Sequence, residues 1–110
     1  MGPENTFEIV TEIFGKRVRR PTDMVDDVEF EMYALETVER RANDFIAQHE
    51  IAREDIVTYK IKMKKKEEMA TRNIKGGQQI REKAQFMTVR IYLSYICHNP
   101  SVAYWFYNKK

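Results

Sequence analysis

The chain has 110 residues, of which 43% are hydrophobic and 33% are charged, and its formal net charge is +2. This length and this apolar fraction predict a single domain, 1–110, and exclude a wholly disordered protein. One cysteine excludes an internal disulfide and favours a reducing cytoplasm, and the lack of an apolar run of about 20 residues predicts no membrane span.

The first part of the chain is predicted to contain a loose leader and two short strands. The leader covers residues 1–5. Alternation of apolar residues with glutamates then predicts a strand over 6–14. Gly15 and Lys16 can form a tight turn, so we expect a second short strand over 17–20.

The next predicted element is a long helix. Asp26 and Glu29 have the spacing of a capping box, in which an acidic residue begins the helix and a glutamate lies three residues later. Run to His49, this helix would be roughly 36 Å long. Residues 28–32 also alternate as a strand would, but no turn residue separates them from the helical stretch that follows. The apolar stripe recurs at steps near 3.6 residues and comprises Val28, Met32, Leu35, Val38, Ala42, Phe45 and Ile46.

Two further strands are predicted in the second half of the chain. Residues 55–65 alternate, with three lysines at every second position on one face. Residues 86–97 are the natural partner strand, and their apolar face lies opposite the face that carries Arg90 and Tyr92. The intervening segment, 66–85, is polar and is too long for an ordinary hairpin loop.

The register of these two strands argues against a simple long hairpin. If Gly76 and Gly77 formed a two-residue turn, Lys62 would lie opposite Ile91, which belongs to the apolar face. A strand of period two does not tolerate this without a slip of one residue. We therefore expect 66–85 to be a flexible or bulged arm, either with a β-bulge that corrects the phase or with a flexible or helical excursion.

These elements together predict an α+β fold. We expect an antiparallel sheet of three to five strands packed on one long helix in two layers, in the order β-β-α-β-β. Residues 100–110 would add a terminal strand or form an aromatic tail.

Charge is segregated along the chain. Residues 22–55 carry eleven acidic and three basic side chains, whereas residues 60–84 carry nine basic and three acidic ones. Separate blocks produce separate surface fields, and such fields select partners.

No motif for catalysis, metal binding or a cofactor is present, so we predict neither an enzyme nor a cofactor. His49 and His98 have no nucleophile or orienting group at a recognisable spacing. Cys97 lies beside His98, but no second cysteine provides a zinc-ligand spacing. Its place on the apolar strand face predicts ordinary packing.

The predicted function is non-enzymatic binding of an anionic partner, either nucleic acid or a phosphorylated nucleotide. Lysine and arginine neutralise phosphates, and a tyrosine on such a face can stack on a base. A solvated sheet face, on which lysines discourage edge pairing, would have the same pattern. The candidate binding residues on the basic face and the Gly-Gly arm are Lys60, Lys62, Lys64, Arg72, Lys75, Arg81, Arg90 and Tyr92.

The alternative is a protein-interaction module, such as a small inhibitor or regulator of the kind that phages encode. It would act through the acidic helix or the aromatic tail, because tyrosine and tryptophan dominate interface hot spots. Early acidic residues also stabilise a helix without any partner. A homo-oligomer, in which the acidic surface of one copy docks on the basic arm of another, is expected as well. The candidate interaction residues are Glu36, Tyr104, Trp105 and Phe106.

Overall fold

The computed structural model describes residues 7–98, which form an antiparallel three-stranded sheet and one long helix. Short 3-10 turns at Arg53–Asp55 and Lys75–Gly77 precede the second strand and join it to the third. The α+β class and the antiparallel sheet are thus confirmed, whereas the predicted leader and tail lie outside the described residues. The elements are β1 (Phe7–Arg19), α1 (Asp27–Gln48), β2 (Ile56–Asn73) and β3 (Gln79–His98).

The order of elements is β-α-β-β, which differs from the predicted β-β-α-β-β. The two short strands expected before the helix are one strand, because β1 pairs continuously with β3 through Gly15 and Lys16. Gly15 lies opposite Arg90, and a Cβ atom at Gly15 would be 3.4 Å from Cγ of that arginine. This would be an ordinary van der Waals contact, and Gly15 lies within a continuous strand and not in a turn.

The strand β3 lies at the centre of the sheet, between β1 and β2. The register aligns Lys62 with Arg90 and Arg90 with Gly15, so these three positions form one ladder across the sheet. Because side chains alternate between faces, even-numbered residues of β2 and β3 share a face with odd-numbered residues of β1. We call this the open face, since the helix covers the other one, where the buried residues of β3 are Met87, Val89, Ile91, Leu93 and Tyr95.

The strands β2 and β3 form one long hairpin, so residues 66–85 differ from the flexible or bulged arm that we expected. Pairing continues without interruption to Asn73 and Gln79, and the only register shift of this pair lies near the far end of β2. The connection is one residue longer than the two-residue turn considered above, because the N–H of Ile74 donates to the carbonyl of Gln78 at 2.9 Å and encloses three residues. That extra residue supplies the phase correction, and it places the lysines away from the apolar face.

The helix begins directly after Asp26, which is the predicted cap residue, and it packs mainly on β3 and β1. The side chain of Asp26 accepts a hydrogen bond from the N–H of Val28 at 2.8 Å, which caps the first turn. The buried stripe is Phe30, Ala34, Val38 and Ala42, whereas the predicted members Val28 and Met32 are 60% and 55% exposed. Small alanines at every second position of this stripe let the helix lie close to the sheet, which turns the two larger side chains outward.

The molecule is elongated, with extents of 68 × 33 × 19 Å. Arg20 connects the start of the helix to the sheet, since its guanidinium hydrogen-bonds both Asp27 and Gln85 at 2.5 Å. The first buried residue of β3 is Met87. The part of β3 that precedes Met87, together with the part of β2 that pairs with it, therefore projects past α1. Among residues 7–98, no helix combines the length and the hydropathy needed to cross a membrane.

Candidate anion-binding face

A row of four lysines runs along β2 on the open face. Alternate residues of a strand point to the same side and lie about 6.6 Å apart. Lys60 is opposite Tyr92, and Lys62 is opposite Arg90 on the central strand. This lysine row, which comprises Lys60, Lys62, Lys64 and Lys66, is exposed along its whole length.

The strand β1 provides cations on the other side of the central strand. Thr88 lies between Lys64 of β2 and Arg17 of β1 in one ladder of the sheet. Cationic side chains therefore flank the central strand on both sides. Between them is an open depression of about 770 Å³, whose lining includes Arg17, Lys62, Lys64, Lys66, Thr88, Arg90 and Tyr92.

Two glutamates neutralise the hairpin end of the open face. Glu68 accepts hydrogen bonds from Arg17 and from Lys66, whose Nζ atom is 3.0 Å away. The hydrogen bond from Lys66, together with the charge of Arg17, holds the pKa of Glu68 below its ordinary value of 4.5. Glu82 binds Arg72 in the same way at 2.5 Å and lies 3.9 Å from Arg19.

The cations nearer the middle of the sheet have no such partners. Within residues 7–98, no carboxylate pairs with Lys60, Lys62, Lys64 or Arg90. Their mutual repulsion is thus not offset by a directly paired carboxylate, and a bound anion would relieve it.

Two aromatic rings on the open face lie close to cationic side chains of the outer strands. The guanidinium of Arg17 lies 3.8 Å above the ring centre of Phe86, so it covers that ring. The Nζ atom of Lys62 lies 5.5 Å from the ring centre of Tyr92. Tyr92 lines the depression, whereas Phe86 mainly fixes the position of the arginine.

The predicted binding residues fall into two groups. Lys60, Lys62, Lys64, Arg90 and Tyr92 come together on the open face. Arg72 shares that face but is held by Glu82, and it lies eight residues from Lys64, which is about 26 Å along a strand. The other two are separated from the site, since the hairpin turn contains Lys75 and the opposite face of β3 carries Arg81.

Sequence reasoning missed Arg17 and assigned Lys66 to the connecting arm. The signal for Lys66 was its continuation of the lysine alternation beyond Lys64. Arg17 continues the alternation of Ile13 and Gly15 in β1, but this pattern is visible only if no turn interrupts the strand.

The open face also has an apolar part. Phe7, Ile9 and Ile13 lie on the open face of β1, with the polar Thr11 between Ile9 and Ile13, and they are 58%, 59% and 59% exposed. Ile13 lies opposite Tyr92, which is itself opposite Lys60. A single ladder of the sheet thus presents an aliphatic, an aromatic and a cationic side chain in order.

The candidate interaction residues are placed elsewhere. Glu36 is exposed on α1, where it lies in a shallow acidic depression with Glu39 and Asp44. This depression belongs to the helical layer, on the other side of the sheet from the lysine row. The aromatic candidates Tyr104, Trp105 and Phe106 lie outside the described residues.

The histidines and the cysteine are not brought together with acidic groups into a metal site. Among residues 7–98, no cluster of three or more histidine, cysteine, aspartate or glutamate side chains could hold a metal ion. His98 pairs with Asp55 at 3.0 Å, and the ring of His49 stacks on Phe45. Cys97 is half-buried on β3.

Comparisons with known proteins yielded no match, whether to a protein-family model, to a curated protein or to a solved structure. The function must therefore be argued from the residues of the open face.

Proposed function

We propose that this chain is a non-enzymatic protein that binds an anionic partner, nucleic acid or a phosphorylated nucleotide, on the open face. One observation carries the proposal: four cations are gathered there without a carboxylate partner among the described residues, namely Lys60, Lys62, Lys64 and Arg90. Such a group attracts phosphates and releases their counterions on binding.

The shape of the face supports the same proposal. The depression between β1 and β2 is open and lined mainly by cations, with Thr88 and Tyr92 between the outer strands and Glu68 at the hairpin end. It offers hydrogen-bond donors to phosphate oxygens and one aromatic ring to a base. We place the site in this depression and not at the Gly-Gly turn. Lys75 lies in the turn itself and Arg81 lies on the opposite face of β3, so neither residue lines the depression.

The test compares charge reversal on the two faces of the hairpin. Fluorescence anisotropy measures binding of a labelled oligothymidylate and a labelled ATP analogue at low salt. Replacing Lys60, Lys62 and Lys64 with glutamate should abolish binding. The matched control is a triple replacement with the same charge change on the opposite face, which should reduce affinity only slightly through the net charge: Lys65→Glu, Arg81→Glu and Lys83→Glu.

Two results would contradict the proposal. One is undetectable binding of both probes to the unmodified protein at low salt. The other is an equal loss of affinity in the two triple variants, since this would show a response to net charge alone.

A second candidate function, a protein-interaction module that inhibits or regulates another protein, is favoured by a different observation. The exposed side chains of Phe7, Ile9 and Ile13 form an apolar strip, interrupted by Thr11, on an uncovered sheet face, and exposed apolar patches mark interaction sites. Native mass spectrometry of the protein purified from its host separates the two candidates. A copurified protein whose complex survives the triple lysine replacement but not Ile9→Asp or Glu36→Lys supports the second one.

The proposed location is the cytoplasm. It rests on the single cysteine, which suits a reducing compartment.

A further inference from the structure

We infer that the ligand of the open face is a single strand of nucleic acid in an extended conformation, with its phosphates along the lysine row and its bases over β3 and β1. This inference rests on the proposed function and narrows it, because it excludes a free nucleotide and a duplex as the preferred ligand.

The lysines of β2 are regularly spaced. Lysines at alternate positions of β2 recur about every 6.6 Å, a distance that the six backbone bonds between successive phosphorus atoms of an extended strand can span. The four lysines span about 20 Å from first to last, so they match about four consecutive phosphates. A free nucleotide concentrates its phosphates at one point and would engage only part of this row.

The side chains across the sheet follow the order of groups across a nucleic-acid strand. In one ladder, Lys60 on β2, Tyr92 on β3 and Ile13 on β1 lie side by side. A single strand has the same order across its width, with phosphate at one edge and an uncovered base at the other. The ring of Tyr92 and the exposed side chain of Ile13 provide the surface on which such a base would pack.

The width of the depression suits one strand of nucleic acid. The outer strands β1 and β2 are separated by two strand spacings, or about 10 Å. Both rims carry cations, since Arg17 lies across from Lys64 with Thr88 between them. One strand fits between these rims, whereas a duplex hides its bases and would touch the lysines only along one edge.

The ends of the site follow from the same ladders. Glu68, which binds Arg17 and Lys66, ends the positive surface toward the hairpin turn. Toward the other end, the ladder of Thr58, Ser94 and Thr11 carries no charge. A footprint of about four nucleotides is therefore expected between these limits.

The experiment measures affinity against chain length for oligothymidylates from one to about twelve nucleotides, with a blunt duplex as the comparison. We expect affinity to rise steeply up to about four nucleotides and slowly beyond, and the duplex to bind less tightly than a single strand of the same length. The salt dependence of affinity should have a slope between about −2 and −3, because the three unpaired lysines each contribute about 0.7 and Lys66, which Glu68 binds, contributes less.

Single replacements test the phosphate contacts of the lysine row and the base contacts of β3 separately. Lys64→Ala should reduce the magnitude of the salt slope by about 0.7, whereas Lys65→Ala, its neighbour on the other face, should leave the slope unchanged. Tyr92→Ala should weaken single-strand binding about tenfold with little change in slope. Tyr92→Leu keeps apolar bulk in case the alanine variant does not fold, and it should also lose affinity.

The outcomes distinguish this inference from the proposed function. If a mononucleotide binds as tightly as a long oligothymidylate, or if the duplex binds as tightly as the single strand, the inference is overturned while anion binding stands. If no probe binds at low salt, both fail.

Discussion

Glu68 limits the positive charge of the open face at its hairpin end. Its carboxylate holds Arg17 and Lys66, both of which line the depression. These contacts lower its pKa, so the side chain stays negatively charged at every pH above its ordinary value of 4.5 and begins to release the cations only below that. Around neutral pH, Glu68 therefore competes with an incoming phosphate.

Replacing Glu68 with glutamine should increase the affinity for an oligothymidylate by about two- to fivefold. The change removes one negative charge and frees two cations, while the side chain keeps its size. Anisotropy titration at low salt measures the effect.

The matched control for this change is Glu67→Gln. Glu67 is the preceding residue, lies on the opposite face and pairs with Lys83 at 3.9 Å. It should leave the affinity nearly unchanged. Equal gains in the two variants, or a loss at Glu68, would show that the open face does not contain the site.

At the residue scale, the sequence predicts which residues of one strand share a face. It does not predict which residues of two different strands lie side by side. The alternation of Lys60, Lys62 and Lys64 places them on one face whatever the partner strand is. Their neighbour Arg17 comes from a strand far away in the chain. Its position depends on a register that no local pattern specifies.

At the scale of elements, the turn of the hairpin determines the whole basic face. Gly76 and Gly77 have φ angles of 86° and 78°, in the left-handed region that favours glycine. Both glycines lie in the turn, whose length of three residues differs from the two residues of the simplest hairpin. That single residue changes the register of the whole hairpin. Because the sequence does not specify the turn length, it did not distinguish a paired hairpin over 66–85 from an unpaired arm.

Replacing Gly76 with alanine should open the end of the hairpin without affecting its base. No atom lies within 4 Å of a Cβ built on Gly76, so the cost is conformational, about 1–2 kcal/mol. Amide hydrogen exchange near Arg72 and Ile80 should accelerate about tenfold or more, whereas exchange at Val89 and Ile91 should not change.

Lys75→Ala in the same turn is the control for this prediction, because Lys75 has no positive φ angle. Similar exchange rates in the two variants would contradict the requirement for glycine at this position.

For the helix, the sequence predicts the position of the element but not which of its faces is buried. The cap at Asp26 and the span of α1 follow from local patterns. The stripe that is buried depends on how the helix crosses β1 and β3, which a helical repeat does not determine. Phe30 was thus missed as a core residue, although it is fully buried.

At the scale of the whole molecule, the two layers carry opposite charge. The helix α1 contains six acidic and two basic side chains, whereas the open face on the other side of the sheet carries the lysine row. The molecule is only 19 Å across in its thinnest direction. The acidic layer of one copy and the basic face of another can therefore attract each other.

This charge separation predicts an oligomer that depends on salt. Light scattering should give a mass above that of the monomer at low salt, and the mass should fall toward 13.2 kDa as salt screens the contact. Oligothymidylate should have the same effect, because it competes for the lysine row. A monomer mass under all conditions would exclude assembly by charge pairing.

The most direct measurement of the central claim is lysine footprinting by acetylation and mass spectrometry, with and without a bound oligothymidylate. Consecutive lysines of β2 point to opposite faces, so the strand contains its own control. We predict that the ligand protects Lys60, Lys62, Lys64 and Lys66 and leaves Lys65 and Lys83 as reactive as before. Equal protection of Lys64 and Lys65, or protection confined to Lys65 and Lys83, would contradict binding on the open face.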